Sequence, residues 1–176
     1  SPADLESLAR ETAPFLSFID VTAPEFALPD DIPPKVQEYC RRTAQPVPMT
    51  PGEVMRSIYQ SIACEFALSF RETAEFTGTV PSRLYIVGKG AGDSLLCQLT
   101  ADAAGISVVA GPQEATALGS GISTLIALGE VHDLTEARRI LADSQLTREY
   151  HPQERERSQA ALERFHKLTK PAEMQE

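Results

Sequence analysis

The chain has 176 residues, of which 42% are apolar, and this is typical of one globular domain. Its 25 acidic and 16 basic residues give a formal net charge of -9 at pH 7. Because nucleic acids and anionic membranes bind positive surfaces, this charge argues against either of them as a partner.

The cysteines and the N-terminus favour a protein of the cytoplasm. Cys40, Cys64 and Cys97 are odd in number and match no zinc spacing, so neither a disulfide framework nor a metal site is predicted. The first residues lack a basic start followed by an apolar run, and no window approaches the roughly 18 apolar residues of a membrane span. We therefore expect an untargeted protein without a transmembrane segment.

Proline dominates the first part of the chain. A short helix is predicted for Asp4–Glu11. The segment 14–51 then carries eight of the thirteen prolines, which predicts a long loop region with one short helix near Lys35–Thr43. Such a long irregular segment is usually functional or packs on a neighbour.

A long core helix follows this segment. Thr50, Pro51 and Glu53 form the pattern of a capping box, which predicts a helix from there to about Thr77, ending at Gly78. A mostly apolar stripe at helical spacing predicts its buried face: Val54, Ile58, Ile62, Glu65, Phe66, Leu68, Phe70 and Phe76.

The next segment alternates strands and helices. Arg83–Val87 reads as a strand, the glycine-rich residues 88–92 as a turn, and Asp93–Ala104 as a helix. Ile106–Ala110 predicts a second strand, and Glu114–Leu128 another helix. This order favours two parallel strands joined by a right-handed crossover.

The C-terminal part is predicted to be helical. Asp133 can cap a helix over Leu134–Ala142. The tail, residues 144–176, contains an amphipathic helix over Gln153–Leu168, and its last six residues are expected to fray. Since no linker divides the chain, residues 1–176 are interpreted as one domain.

The glycine turn is the one place in this sequence whose local chemistry suits a phosphate. A turn between a strand and a helix exposes backbone N–H groups at the positive end of the helix dipole, although such turns are often purely structural. The glycines at 88, 90 and 92 do not fit the dinucleotide fingerprint. A P-loop is excluded, because Lys89 is followed by Gly90 and not by a hydroxyl residue.

Six ordered segments match a known family. They are 14–20 (PFLSFID), 39–41 (YCR), 84–88 (LYIVG), 95–103 (LLCQLTADA), 111–119 (GPQEATALG) and 127–130 (ALGE). In these segments the chain resembles the C-terminal domain of the FGGY carbohydrate kinases, most closely its rhamnulose kinase branch. The resemblance implies an α/β fold: a partial actin-like ATPase domain, ribonuclease H-like, with short parallel strands and packed helices.

The resemblance also implies a function. The complete enzyme would use ATP and Mg²⁺ to phosphorylate a ketose such as L-rhamnulose. Its nucleotide phosphates would lie against the turn. The nucleotide-binding residues that the resemblance implies are therefore Gly88, Lys89, Gly90, Ala91 and Asp93.

A helix with small residues would pack closely on the sheet in such an enzyme. The small residues in question are Ala115, Ala117 and Gly119.

The turn departs from the family pattern at two positions. Lys89 replaces a glycine, so its side chain could clash or forbid a positive φ. Asp93 replaces an asparagine and brings a carboxylate near the phosphates. Lys89 could instead supply a compensating cation, or simply be solvated.

The family's sugar pocket, second phosphate loop and catalytic aspartate lie upstream of the matched region. No catalytic or metal-binding residue is therefore assigned. The four aspartates Asp20, Asp93, Asp102 and Asp133 stay without a role, and so do the three histidines. We expect the chain to be inactive alone, as one part of a phosphotransferase with an alcohol acceptor.

Two other hypotheses stay open. The chain could be a non-catalytic interaction or oligomerisation module derived from such a kinase, or, less readily, an independent nucleotide-binding protein. Expected partners are ATP or ADP and either the missing N-terminal kinase half or a second copy, joined through the sheet edge. Apolar residues of segment 14–51 would add to that exposed surface: Phe15, Phe18, Ile19 and Phe26.

Overall fold

The structure is a computed structural model that describes residues 2–28, 30–144 and 147–169. The helices are α1 (Pro2–Glu11), α2 (Ile32–Arg42), α3 (Pro51–Thr77), α4 (Ser94–Ala104), α5 (Ala115–Ala127), α6 (Leu134–Ser144) and α7 (Arg155–Thr169). The strands are β1 (Arg83–Ile86), β2 (Ser107–Ala110) and β3 (Arg148–Tyr150). The predicted helices are all present, with ends that differ by up to three residues. The predicted fraying of the last six residues lies outside the described ranges.

The three strands form one mixed sheet in the order β1-β2-β3. β1 and β2 are parallel, with Arg83 opposite Ser107 and Ile86 opposite Ala110, which confirms the predicted pairing. β3 runs antiparallel to β2 and was not predicted. The sequence Arg-Glu-Tyr is three residues long and has no apolar run, so it carries no strand signal of its own.

Helix α3 is the centre of the molecule and packs mainly against α1 and α4. Its capping box is present as predicted, and it ends at Gly78 with φ 66°. The predicted apolar face was partly wrong, because Phe66 is 42% and Phe76 is 93% exposed. The residues that are buried on α3 are mostly small or polar: Gly52, Val54, Ser57, Gln60, Ser61, Ala63, Cys64, Ala67 and Leu68.

The proline-rich segment folds back over α3. Phe18 and Ile19 are buried within the chain, so the expectation that they lack a partner was wrong. Side chains of α3 bind the loop's backbone: Ser61 Oγ accepts from Ile19 N–H at 2.9 Å, and Gln60 Oε1 accepts from Phe15 N–H at 2.9 Å. These bonds explain the polar face of α3, because a buried loop must satisfy its backbone through side chains.

Among the described α-helices, α5 is the one in which no residue is buried. A methyl group added at Gly119 would meet no atom within 4 Å beyond its chain neighbours and its own helix backbone. The expected close approach of this small residue to the sheet is therefore not made among the described residues. Among the described helices, none has the length and apolar character to cross a membrane.

Candidate functional site: the glycine turn

The glycine turn lies between the carboxyl end of β1 and the N-terminus of α4. Gly88 has φ 79° and ψ -163°, which residues with a side chain rarely adopt. Residues Lys89–Gly92 then form a single turn of 3-10 helix. The sequence prediction of strand, glycine turn and helix is confirmed.

A second loop, after β2, lies beside this turn. The Gly88 N–H donates to Pro112 O at 2.9 Å, and the Gly111 N–H donates to Ile86 O at 2.8 Å. The Gln113 side chain covers Gly92, where an added Cβ would lie only 2.6 Å from Gln113 Nε2. Because β1 and β2 are parallel, both loops follow the carboxyl ends of their strands. They therefore lie at the same end of the sheet and form one surface.

Gln113 was not predicted to lie at the site. The parallel order of the strands was the signal that could have located it, since loops after neighbouring parallel strands meet.

Lys89 is accommodated without backbone strain. Among the described non-glycine residues, positive φ values occur at Phe15 and Ala44, and Lys89 is not one of them. The expected conflict between a side chain and a positive φ therefore does not arise here. Its side chain is exposed, which places a mobile positive charge on the surface of the turn.

Asp93 acts as the N-cap of α4. Its carboxylate accepts from the Leu96 N–H at 3.0 Å. The carboxylate therefore caps the first turn of the helix. An asparagine at this position could make the same bond, because both residues are good N-caps.

A second carboxylate reaches the same helix end from α1. Glu6 Oε1 accepts from Ser94 Oγ at 2.9 Å, from the Leu95 N–H at 3.1 Å and from Arg10 at 2.7 Å. Burial pushes the pKa of Glu6 up, but the hydrogen bonds from these donors outweigh it and hold the pKa below its usual value. The N-terminus of α4 thus has two of its N–H groups bound by the protein's own carboxylates.

The half-buried Tyr59 and the buried Cys97 lie next to the turn and interact with Asp93 or Gly90. Burial and the neighbouring Asp93 carboxylate raise the pKa of Tyr59, so its phenol stays neutral. Cys97 Sγ lies 3.7 Å from Gly90 O, and burial, with the nearby Asp93 charge, raises the pKa of this thiol to about 11. Tyr59, on α3, was not predicted at the site.

The four aspartates left without a role in the sequence all make local contacts. Asp93 and Asp133 cap α4 and α6, Asp20 accepts from the backbone and hydroxyl of Thr22, and Asp102 accepts from Gln98. The structure therefore gives each of them a structural contact. Within the described ranges, no three His, Cys, Asp or Glu side chains are grouped so as to hold a metal ion.

Two of the three histidines make their hydrogen bonds away from the turn. His151 Nδ1 pairs with Ser107 Oγ at 2.9 Å, near the start of β2. The start of a strand is the opposite end of the sheet from the glycine turn, so this pair is not part of the site. The His132 N–H donates to Glu136 at the start of α6.

The fold and the strand, turn and helix order define the class of protein. The chain is similar to the solved xylulose kinase from Rhodospirillum rubrum, with a TM-score of 0.62 and 16% identity over 95% of this chain and 33% of that one. The chain therefore has part of the actin-like ATPase fold of the sugar kinases.

The sequence comparisons give the family. Residues 2–128 match the FGGY family of carbohydrate kinases, C-terminal domain. The chain is 41% identical to the rhamnulokinase of Enterococcus faecalis over 82% of its length, and 37% identical to that of Bacillus subtilis over 85%. This chain belongs to the FGGY family of carbohydrate kinases. It spans about a third of the length of these relatives, 30% and 31% respectively.

Proposed function

We propose that residues 1–176 form the C-terminal part of an ATP-dependent sugar kinase that phosphorylates a ketose such as L-rhamnulose in the cytoplasm. The glycine turn is the observation that supports this proposal: Gly88 has φ 79° and ψ -163°, a conformation that favours glycine, and it lies between a parallel strand and a helix. Similarity to rhamnulokinases supports the choice of sugar.

The turn would contact the nucleotide phosphates. The site residues of this proposal are Gly88, Lys89, Gly90, Ala91 and Asp93. Backbone N–H groups attract phosphate oxygens, and the exposed Lys89 ammonium is a flexible cation at the same place. Mg²⁺ would neutralise phosphate charge in the complete enzyme.

The isolated chain would be inactive. Phosphoryl transfer depends on holding the nucleotide and the acceptor in line, so one side of the cleft is not sufficient. A coupled assay of the pure chain with ATP, Mg²⁺ and L-rhamnulose should show no turnover above background. Turnover by the pure chain would contradict this part of the proposal.

A second candidate function is a non-catalytic interaction module. The observation that favours it is the exposed apolar surface beside β1, where Tyr85 is 64% and Val87 is 56% exposed. Nucleotide binding separates the two candidates. Calorimetric titration with ADP should give measurable heat for a kinase part and none for a module that has lost the nucleotide site.

A further inference from the structure

A small cavity lies between α3, α4, α7 and the start of the proline-rich segment. Its volume is about 10 Å³, close to the lower limit for one water molecule. The lining is uncharged. It is mostly apolar, through side chains such as Phe15, Leu99 and Ala103, and its polar members are Gln60 and Ser158.

Gln60, on α3, brings an unpartnered donor to this cavity. The residue is 2% exposed, and its Oε1 accepts from the Phe15 N–H at 2.9 Å. Its Nε2 has no hydrogen-bond partner among the described residues. Rotating the amide by half a turn would not help, because the nitrogen would then face the Phe15 N–H, which is also a donor. A buried donor destabilises a fold unless it finds an acceptor, so this position calls for one.

Ser158, on α7, brings a second polar group to the same cavity. It is 4% exposed, and its backbone N–H makes the ordinary helical bond to Glu154 O. Ser61 of α3 donates its hydroxyl to the carbonyl four residues back, at 2.6 Å, as helical serines can. The Ser158 hydroxyl makes no such bond, and no described residue is its partner. Because a hydroxyl both donates and accepts, this group can complete a bridge.

The backbone beside the cavity is strained. Phe15 has φ 63°, a left-handed conformation that residues with a side chain rarely adopt. It is held from two helices, since its N–H donates to Gln60 and its carbonyl accepts from Arg164 Nη1 at 3.2 Å. A strained residue persists only where its surroundings fix it. A partner on Gln60 Nε2 would hold the amide in the orientation that Phe15 needs.

These groups define the occupant of the cavity. It must accept a hydrogen bond from Gln60, it must be very small, and it must be neutral, because no charged side chain in the lining could compensate a buried charge. Water meets all three conditions. We propose that one buried water molecule accepts from Gln60 Nε2, bonds to Ser158 Oγ and so links α3 to α7 beneath Phe15. This bridge would stabilise the fold whatever ligand the glycine turn binds.

A high-resolution crystal structure of the full 176-residue chain tests the occupancy. We expect one density peak in the cavity, about 2.9 Å from Gln60 Nε2 and about 2.8 Å from Ser158 Oγ. An empty cavity would overturn the inference. A protein atom that accepts from Gln60 Nε2 in place of water would overturn it as well.

A double-mutant cycle tests the bridge in solution. Urea midpoints are measured for Gln60→Met, Ser158→Ala and the double variant. Either single change breaks the bridge, so the double variant should lower the midpoint by less than the sum of the two single shifts. Additive shifts would overturn the inference, because the two side chains make no direct hydrogen bond. The crystal structure of the wild type decides the question if Gln60→Met does not fold.

Gln45→Met combined with Ser158→Ala is the matched control. Gln45 also binds backbone of the proline-rich segment, since it accepts from the Phe18 N–H and donates to Phe18 O, both at 2.8 Å. It does not line the cavity. Its shift should therefore add to that of Ser158→Ala. Equal coupling in this pair would show that general packing connects the segment with α7, and would overturn the water bridge.

Discussion

The N-terminus of α4 shows how single residues shape the candidate site. Asp93 and Glu6 bind consecutive N–H groups of this helix end, those of Leu96 and Leu95. Their negative charges lie at the positive end of the helix dipole, which stabilises both. The N–H groups of Gly88, Ala91 and Asp93 are themselves bonded to backbone carbonyls, so a phosphate at the turn would depend on the other N–H groups of the turn and on Lys89.

Glu6→Gln should make the chain less stable at neutral pH. The lowered pKa of Glu6 means that its contribution is present above the ordinary value of 4.5 and is lost as the pH falls through the folded value. Loss of the charge-assisted bonds should cost about 1 kcal/mol at pH 7, and the difference should shrink toward about pH 3. Urea unfolding across this pH range measures it.

Glu11→Gln is the control for this prediction. Glu11 is an exposed acid at the end of the same helix, so its substitution should leave stability nearly unchanged. A constant difference between Glu6→Gln and wild type from pH 7 to about pH 3 would contradict the linkage argument.

Asp93→Asn should strengthen ADP binding. The change removes one carboxylate beside the proposed phosphate position while asparagine keeps the cap of α4. We expect a several-fold gain, on the order of 1 kcal/mol, in calorimetric titrations. Asp143→Asn, at an exposed acid on α6, makes the same change of net charge away from the turn and should leave the affinity unchanged. Equal affinities of the wild type and Asp93→Asn would refute this prediction.

At the scale of residues, the sequence predicted the position of the turn but not the partners of its side chains. The glycine spacing identified residues 88–92, because glycines clustered after a strand are typical of a turn, and Gly88 has the positive φ that favours glycine. The contacts of Glu6, Tyr59 and Gln113 depend on how α1, α3 and the loop after β2 pack together. Such tertiary contacts leave no local pattern in a single sequence.

At the scale of elements, α3 carries the other helices and the loop segment. Its buried face is polar where it binds loop backbone, as at Ser61, and small where α4 approaches, as at Ala63. Its large residues Phe66 and Phe70 instead line an apolar groove beside β1. This distribution explains why the apolar stripe did not predict the buried face of α3 correctly. A large apolar side chain can also lie on a surface that binds another segment.

Thr50→Ala should lower the free energy of unfolding by about 1 kcal/mol, because the capping box of α3 would lose its side-chain acceptor. Thr50 Oγ1 accepts from the Glu53 N–H at 3.2 Å, and Glu53 Oε2 accepts from the Thr50 N–H at 2.9 Å. Chemical denaturation measures the change. Thr116→Ala, an exposed position in α5, is the control and should have little effect. An unchanged midpoint for Thr50→Ala would show that the cap does not stabilise α3.

The strands show the same limit of sequence reasoning. β1 and β2 were predicted because each is an apolar run bounded by turn residues. β3 was missed because its pairing with β2 comes from tertiary structure, with Tyr150 opposite Val108. Helix α5 was predicted as a helix. Its lack of buried residues depends on which elements pack around it, and this cannot be read from its own sequence.

At the scale of the whole molecule, an open sheet edge should lead to self-association when no other strand covers it. We expect a mass that rises with concentration in light scattering, and a lower mass when the unmatched part of the Enterococcus faecalis kinase is added. Phe66→Lys should reduce the self-association, because a charge would enter the groove. A strictly monomeric mass at high concentration would rule this out.

The central claim is that this chain supplies one side of a sugar kinase's cleft. Its most direct test is a chimera in which the unmatched part of the Enterococcus faecalis rhamnulokinase is fused to residues 1–176. Phosphoryl transfer from ATP to L-rhamnulose is then measured for the chimera and for each part alone. We predict turnover by the chimera and none by either part. Turnover by the 176-residue chain alone, or a folded chimera that neither binds ATP nor transfers phosphate, would contradict the claim.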